Sequence, residues 1–172
     1  MKRVCVVGNT ASGKSHLAAL IGDEFALPVI HLDAVYWKPD WSHVAHEDFL
    51  AAQQDLISQE RWVLDGCFSE FGLTERFQAA DAVVFLDMPT WPCLRRAMGR
   101  RGGHSGDLPA DDMRLPVGLG LLFLTEIVLF RLLERPRILS VAMNSGSHFI
   151  RLHNWADENH TLAELRDHGS SA

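Results

Sequence analysis

Cysteine is scarce in this chain: three in 172 residues, at positions 5, 67 and 93, with no C-x-x-C pair. An odd number at such spacing argues against a disulfide framework or a cysteine zinc site and fits a reducing cytosol. Positive charge is also short. Sixteen Lys and Arg against 22 Asp and Glu leave a formal net charge of −6, which excludes a broadly cationic nucleic-acid surface but not a local basic cluster. No uninterrupted apolar run reaches the roughly 18 residues of a membrane span. The nearest, over 117–133, is interrupted by Glu126 and Arg131, so it reads as a buried core helix, with an interfacial or partner-binding helix as the alternative. Lys2 and Arg3 precede an apolar run that meets Gly8 too soon for a signal-peptide core. G-x-S-x-G and H-E-x-x-H are missing, and His43-x-x-His46 lacks a third ligand of matching type nearby, which makes metal binding there improbable.

What is present is ordinary in bulk and specific at one point. The length suits one domain, expected over 1–168 with a tail at 169–172, and 47% hydrophobic with 22% charged residues is typical of a globular protein. The specific point is Gly8-Asn9-Thr10-Ala11-Ser12-Gly13-Lys14-Ser15, directly after the apolar run Val4-Cys5-Val6-Val7. It matches G-x-x-x-x-G-K-[ST], the P-loop, with the strand before it and the helix after it that the motif requires. Gly8 and Gly13 let the backbone turn its N–H groups inward onto phosphate oxygens. Lys14 is placed to reach the β- and γ-phosphates, and the Ser15 hydroxyl to ligate Mg²⁺. The helix that begins near Gly13 points its partial positive end at the same anion.

Elsewhere, apolar patterning predicts strands over 1–7, 28–32, 61–65, 82–87 and 148–152, with helices between them. Residues 33–41 read as an aromatic-rich loop, and helices are expected over 46–59, weakly over 69–79, from Thr90, over 115–134, after Arg135-Pro136-Arg137 and over 156–166. Chain beyond Asp167 is expected to be disordered. The Gly-rich stretch 102–107, ended by Leu108-Pro109, reads as a short flexible lid over about 102–113. Strands alternating with helices imply a three-layer α/β/α P-loop NTPase fold on a five-stranded parallel sheet.

The charged groups narrow the chemistry. Asp65 ends the strand Trp62-Val63-Leu64, where a Mg²⁺-holding carboxylate sits in P-loop proteins; as Asp65-Gly66 it could also be a turn residue. Asp87 ends the next strand with Pro89 close behind, so a turn or helix-entry role is equally open. Asp33 lies just past the second strand, at the crevice where open α/β sheets bind ligands, and could accept a proton from a substrate hydroxyl or cap a helix. Arg95-Arg96-x-x-x-Arg100-Arg101 puts Arg96 and Arg100 on one helix face, able to clamp phosphates and stabilise the transferring group. Arg131 and Arg135, four apart, could complete the phosphate clamp but read better as partners of Glu126 and Glu134. Tyr36, Trp37 and Trp41 could stack on a planar acceptor or pack in the core.

Taken together, the loop, the 31–41 segment, Trp62-Val63-Leu64-Asp65-Gly66 and the run from Ala80 through Pro89 into Arg95–Arg101 resemble the adenylate-kinase-like P-loop kinases. The resemblance is closest to the small bacterial DNA topology modulation proteins. It implies an ATP- and Mg²⁺-dependent transfer of the γ-phosphoryl group to a nucleoside, nucleotide or related metabolite, in the cytoplasm. It also implies that Arg96 and Arg100 touch ATP phosphates and that the Asp65-Gly66 step lies near Mg²⁺. One departure stands out: such kinases carry an arginine soon after Asp-Gly to hold an acceptor phosphate, whereas Cys67-Phe68-Ser69-Glu70 follows here. Direct DNA binding is not expected, since nothing reads as a groove-binding element. The alternative is an ATP-binding regulatory or DNA-associated protein without a small-molecule acceptor.

Overall fold

A computed structural model of the chain describes residues 1–99 and 117–170, with backbone alone for 117–119 and 170. Its centre is β1 (Arg3–Gly8), in which Val4, Cys5, Val6 and Val7 are all 0% exposed. A strand covered on both faces needs apolar side chains on both, which is why this run is continuous rather than alternating. β1 is flanked by β3 (Trp62–Asp65) and β4 (Ala82–Leu86), with β2 (Val29–His31) and β5 (His148–Leu152) outside them. The order is β2-β3-β1-β4-β5 and every pairing is parallel, as expected from the alternation of strands and helices.

Helices cover both faces and divide the core in two. Val4 and Val6 pack with Leu17 and Ile21 of α1 (Lys14–Phe25) and Leu165 of α8 (Glu158–Ser170). Cys5 and Val7 look the other way, onto Phe49 of α3 (His46–Ile57), Phe77 of α4 (Leu73–Ala79) and Ile138 of α7 (Glu134–Ser145). The direction of connection reverses at the centre: the chain leaves β1 toward β2 on one side and leaves β3 toward β4 on the other. A crevice opens at such a point, at the carboxyl ends of the strands. The register sets Asp65 beside both Val6 and His31 there, and Leu86 beside Gly8.

Four expectations are corrected. Residues 33–36 are not loop but belong to a short helix, α2 (Leu32–Tyr36), with Leu32 and Tyr36 buried. The long apolar helix stops early: α6 (Val117–Leu129) gives way to a turn over 130–133, where Leu132 N–H donates to Leu129 and Arg135 N–H to Phe130 in place of regular helical bonds. α7 then restarts with Pro136 in its first turn, where a missing N–H costs nothing. α6 is also not a buried core helix, since it is covered on one side only and Leu121 is 64% and Val128 51% exposed. Finally, α8 continues to Ser170, beyond the expected disordered boundary at Asp167. The expected lid at 102–113 lies outside the described residues.

Candidate active site

The loop after β1 is shaped by its glycines. Gly8 approaches β4 so closely that a Cβ would fall 2.7 Å from the Leu86 carbonyl oxygen. Gly13 holds φ 98°, a left-handed value that favours glycine, and caps the start of α1. Ala11 is also left-handed at φ 57°. Asn9 and Ser12 are buried; Ser12 N–H donates to the Asn9 carbonyl at 3.1 Å, and the Asn9 amide donates to the Ile127 carbonyl of α6 at 3.0 Å. Lys14 Nζ lies on the Asn9 carbonyl at 3.0 Å, Ser15 occupies the first turn of α1, and Thr10 is partly exposed. Arg96, from α5 (Thr90–Gly99), donates to the Ser12 carbonyl at 3.2 Å, which brings the arginine helix onto the loop. Arg100 lies outside the described residues.

Asp65 reaches this crevice from β3. It is 2% exposed; its Oδ2 is 3.0 Å from His31 Nδ1, while its Oδ1 is buried without a hydrogen-bond partner. A buried carboxylate oxygen with no partner among the described residues is costly, which makes this atom a candidate ligand for a cation. Asp33 sits two residues after His31, in α2. The loop that follows Asp65 is held by Arg76 of α4, fully buried, whose guanidinium donates to the carbonyls of Gly66 at 2.8 Å, Cys67 at 2.6 Å and Phe68 at 2.9 Å. An arginine does follow the Asp-Gly step, but its donors are spent on backbone. Glu70 pairs with Arg137 at 3.3 Å, and Ser69 donates to Glu134.

Asp87 turns out to be an ion-pair node rather than a turn residue. It is 3% exposed and accepts from Arg135 Nε at 3.0 Å and Arg151 Nε at 2.8 Å. Burial alone would raise its pKa, yet the two guanidiniums hold it below the usual carboxylate value. Arg135 therefore pairs with Asp87, not with Glu126 or Glu134, and it anchors α7 to the end of β4. Burial pushes the thiols of Cys5 and Cys67 up to about 11, so neither is a thiolate nucleophile.

Two flanking regions complete the crevice. On one side, a cavity of about 530 Å³ is lined by Ala11, Gly13, His16, Arg96, Gly99 and Trp155. Trp155 lies so close to the loop that a Cβ on Gly13 would meet its ring at 2.2 Å, and Arg96 stacks on the indole at 5.6 Å. Sequence reading missed Trp155. The available signal was its place just past the last strand, on the edge where parallel sheets bind ligands. On the other side, Tyr36 packs against Phe68 at 4.9 Å and stacks on His43 at 5.2 Å, and Trp37 meets Phe123 of α6 at 6.2 Å. Glu126 opens to solvent here, yet surrounding protein, then the charges of Glu134 and Asp33, raise its pKa.

No family model matches the chain, and no curated protein is similar to it in sequence. Solved structures do match in shape. Shikimate kinase from Acinetobacter baumannii in complex with shikimate aligns over 99% of this chain and 94% of its own, with TM-score 0.64 and 13% identity. Shikimate kinase from Bacteroides thetaiotaomicron aligns over 96% and 97%, with TM-score 0.61 and 14% identity. Shikimate kinase from Aquifex aeolicus aligns over 98% and 96%, with TM-score 0.54 and 16% identity. At these identities what is shared is the fold, a three-layer α/β/α P-loop architecture on a five-stranded parallel sheet.

Proposed function

We propose that the chain is an ATP-dependent kinase that transfers the γ-phosphoryl group to a hydroxyl of a nucleoside, nucleotide or related metabolite in the cytoplasm. The observation that carries this reading is the glycine-shaped loop facing a buried Asp65 whose Oδ1 has no partner. The loop amides from Gly8 to Ser15 and Lys14 would hold the phosphates, with the charge of Lys14 moving from the Asn9 carbonyl onto them. Arg96 and Arg100 would neutralise the group in transfer. The cavity lined by Trp155 and Arg96 has room for the base, which the indole ring would stack against.

Mg²⁺ fits the donor set. Asp65 Oδ1 and the Ser15 hydroxyl are hard oxygen ligands, and Mg²⁺ on a nucleotide takes only one or two protein ligands beside phosphate oxygens and water. Such a site needs no cluster of three protein ligands, and the described residues contain none. When bound, the ion would offset charge on the β- and γ-phosphates. Asp33 would face the acceptor hydroxyl, with Tyr36, Trp37 and Trp41 beside it, and residues 102–113 would close over the site and exclude water. Glu126 and Glu134 on this side, with Arg76 committed to carbonyls, favour a nucleoside or other unphosphorylated metabolite over a nucleotide as the acceptor. The closer resemblance, to the DNA topology modulation proteins, rests on the sequence segments alone.

Acceptor-stimulated ADP release, screened over nucleosides, nucleotides and small metabolites, tests the proposal. Lys14→Ala should abolish Mg·ATP binding or turnover, and undiminished phosphoryl transfer in that variant would overturn it.

A further inference from the structure

A helix that is apolar all round belongs in a protein interior. α6 and the turn after it come close to that, with Thr125, Glu126 and Arg131 as the exceptions, yet the described residues cover them on one side only. Ile127 and Phe130 face the core, at 0% and 4% exposed. The opposite face presents Leu121, Leu122, Val128, Leu129, Leu132 and Leu133, from 37% exposed at Leu129 to 73% at Leu132. These positions recur at a spacing of seven, Leu121 with Val128 and Leu122 with Leu129, which is the repeat against which a second helix packs.

We propose that this face docks a second copy of the chain, the two α6 helices lying side by side about a two-fold axis. The six residues of the stripe carry no charge and are complementary to themselves under such an axis, although the chain as a whole carries −6. Each copy exposes on the order of 600 Å² along the stripe, at the upper end of what a monomer leaves bare. A pair would bury about 1,200 Å², above the roughly 1,000 Å² that a specific interface needs. A lipid surface fits less well. Interfacial helices carry Lys and Arg along their polar face, whereas 117–133 holds one cation, Arg131. The proposal is independent of the catalytic reading.

Sedimentation velocity on the full chain, from about 1 to about 100 µM, should show twice the 19.2 kDa chain mass. The double substitution Leu129→Glu with Leu132→Glu should raise the dimer dissociation constant at least tenfold and leave the circular dichroism spectrum unchanged. Leu121→Glu, at the other end of the stripe, should do the same and guards against misfolding of the first variant. A wild type that stays monomeric throughout the range overturns the proposal. So does a dimer that survives both sets of substitutions, or a monomer that floats with phosphatidylcholine–phosphatidylserine vesicles.

Discussion

Replacing Arg76 with methionine removes the guanidinium donors to the carbonyls of Gly66, Cys67 and Phe68 while keeping most of the side-chain volume. Arg76 is 0% exposed and supplies three bonds of 2.6–2.9 Å to the carbonyls of Gly66, Cys67 and Phe68. Burial lowers its pKa, but a guanidinium stays charged at any pH where the protein is folded. Each carbonyl that loses this donor costs roughly 1–3 kcal/mol. Three carbonyls at that rate cost about 3–9 kcal/mol and taking a charge out of the interior returns several, so the net loss is on the order of 3 kcal/mol. For a chain of this size that lowers Tm by on the order of 10 °C. Arg76→Lys keeps the charge but replaces a planar fork with a point donor, and should lose about half as much. Urea denaturation at pH 7 followed by circular dichroism measures both. Below the transition, phosphoryl transfer should fall at least tenfold, because these bonds set the loop that leaves Asp65. A methionine variant within 1 kcal/mol of wild type at equal m-value would refute the role assigned to these bonds.

Three further outcomes follow from named contacts. Asp87→Asn should cost about 3 kcal/mol at neutral pH by leaving two guanidiniums without their carboxylate. Because the folded pKa of Asp87 is lowered, its stabilisation is present above the unfolded value near 4 and fades as pH falls through the folded one. The gap between wild type and variant in urea midpoints should therefore close in acid, and a gap independent of pH would count against the ion-pair account. Trp155→Ala should raise the KM for ATP about tenfold with kcat nearly unchanged, and nucleotide should quench Trp155 fluorescence; equal KM values would detach the cavity from the base. Glu126 has a raised folded pKa, so its charged form costs stability above that value and nothing below the unfolded one near 4. Glu126→Gln should thus stabilise at pH 8 by a few tenths of a kcal/mol after solvent screening, with no gain at pH 4, as pH-dependent thermal melts would show.

What could be read from sequence is what a short stretch of backbone decides for itself. The P-loop was legible because eight consecutive residues build it, with Gly8 and Gly13 as the positions a side chain cannot occupy. The strands were legible because a parallel strand buried on both faces must be apolar throughout, and Asp65 because it interrupts such a run at its end. The parallel five-stranded sheet followed from the alternation. Other features depend on contacts between distant parts of the chain. Tertiary packing alone brings Trp155 onto Gly13, commits Arg76 to three carbonyls, and gives Asp87 two arginines from different elements. The helix 117–129 shows the division most plainly. Its composition says that every face is apolar, but a sequence carries no record of how many faces the rest of the chain covers. Among the described residues the fold covers one, where Ile127 enters the core and its carbonyl accepts from Asn9, and the other face carries exposed Leu121, Val128 and Leu132.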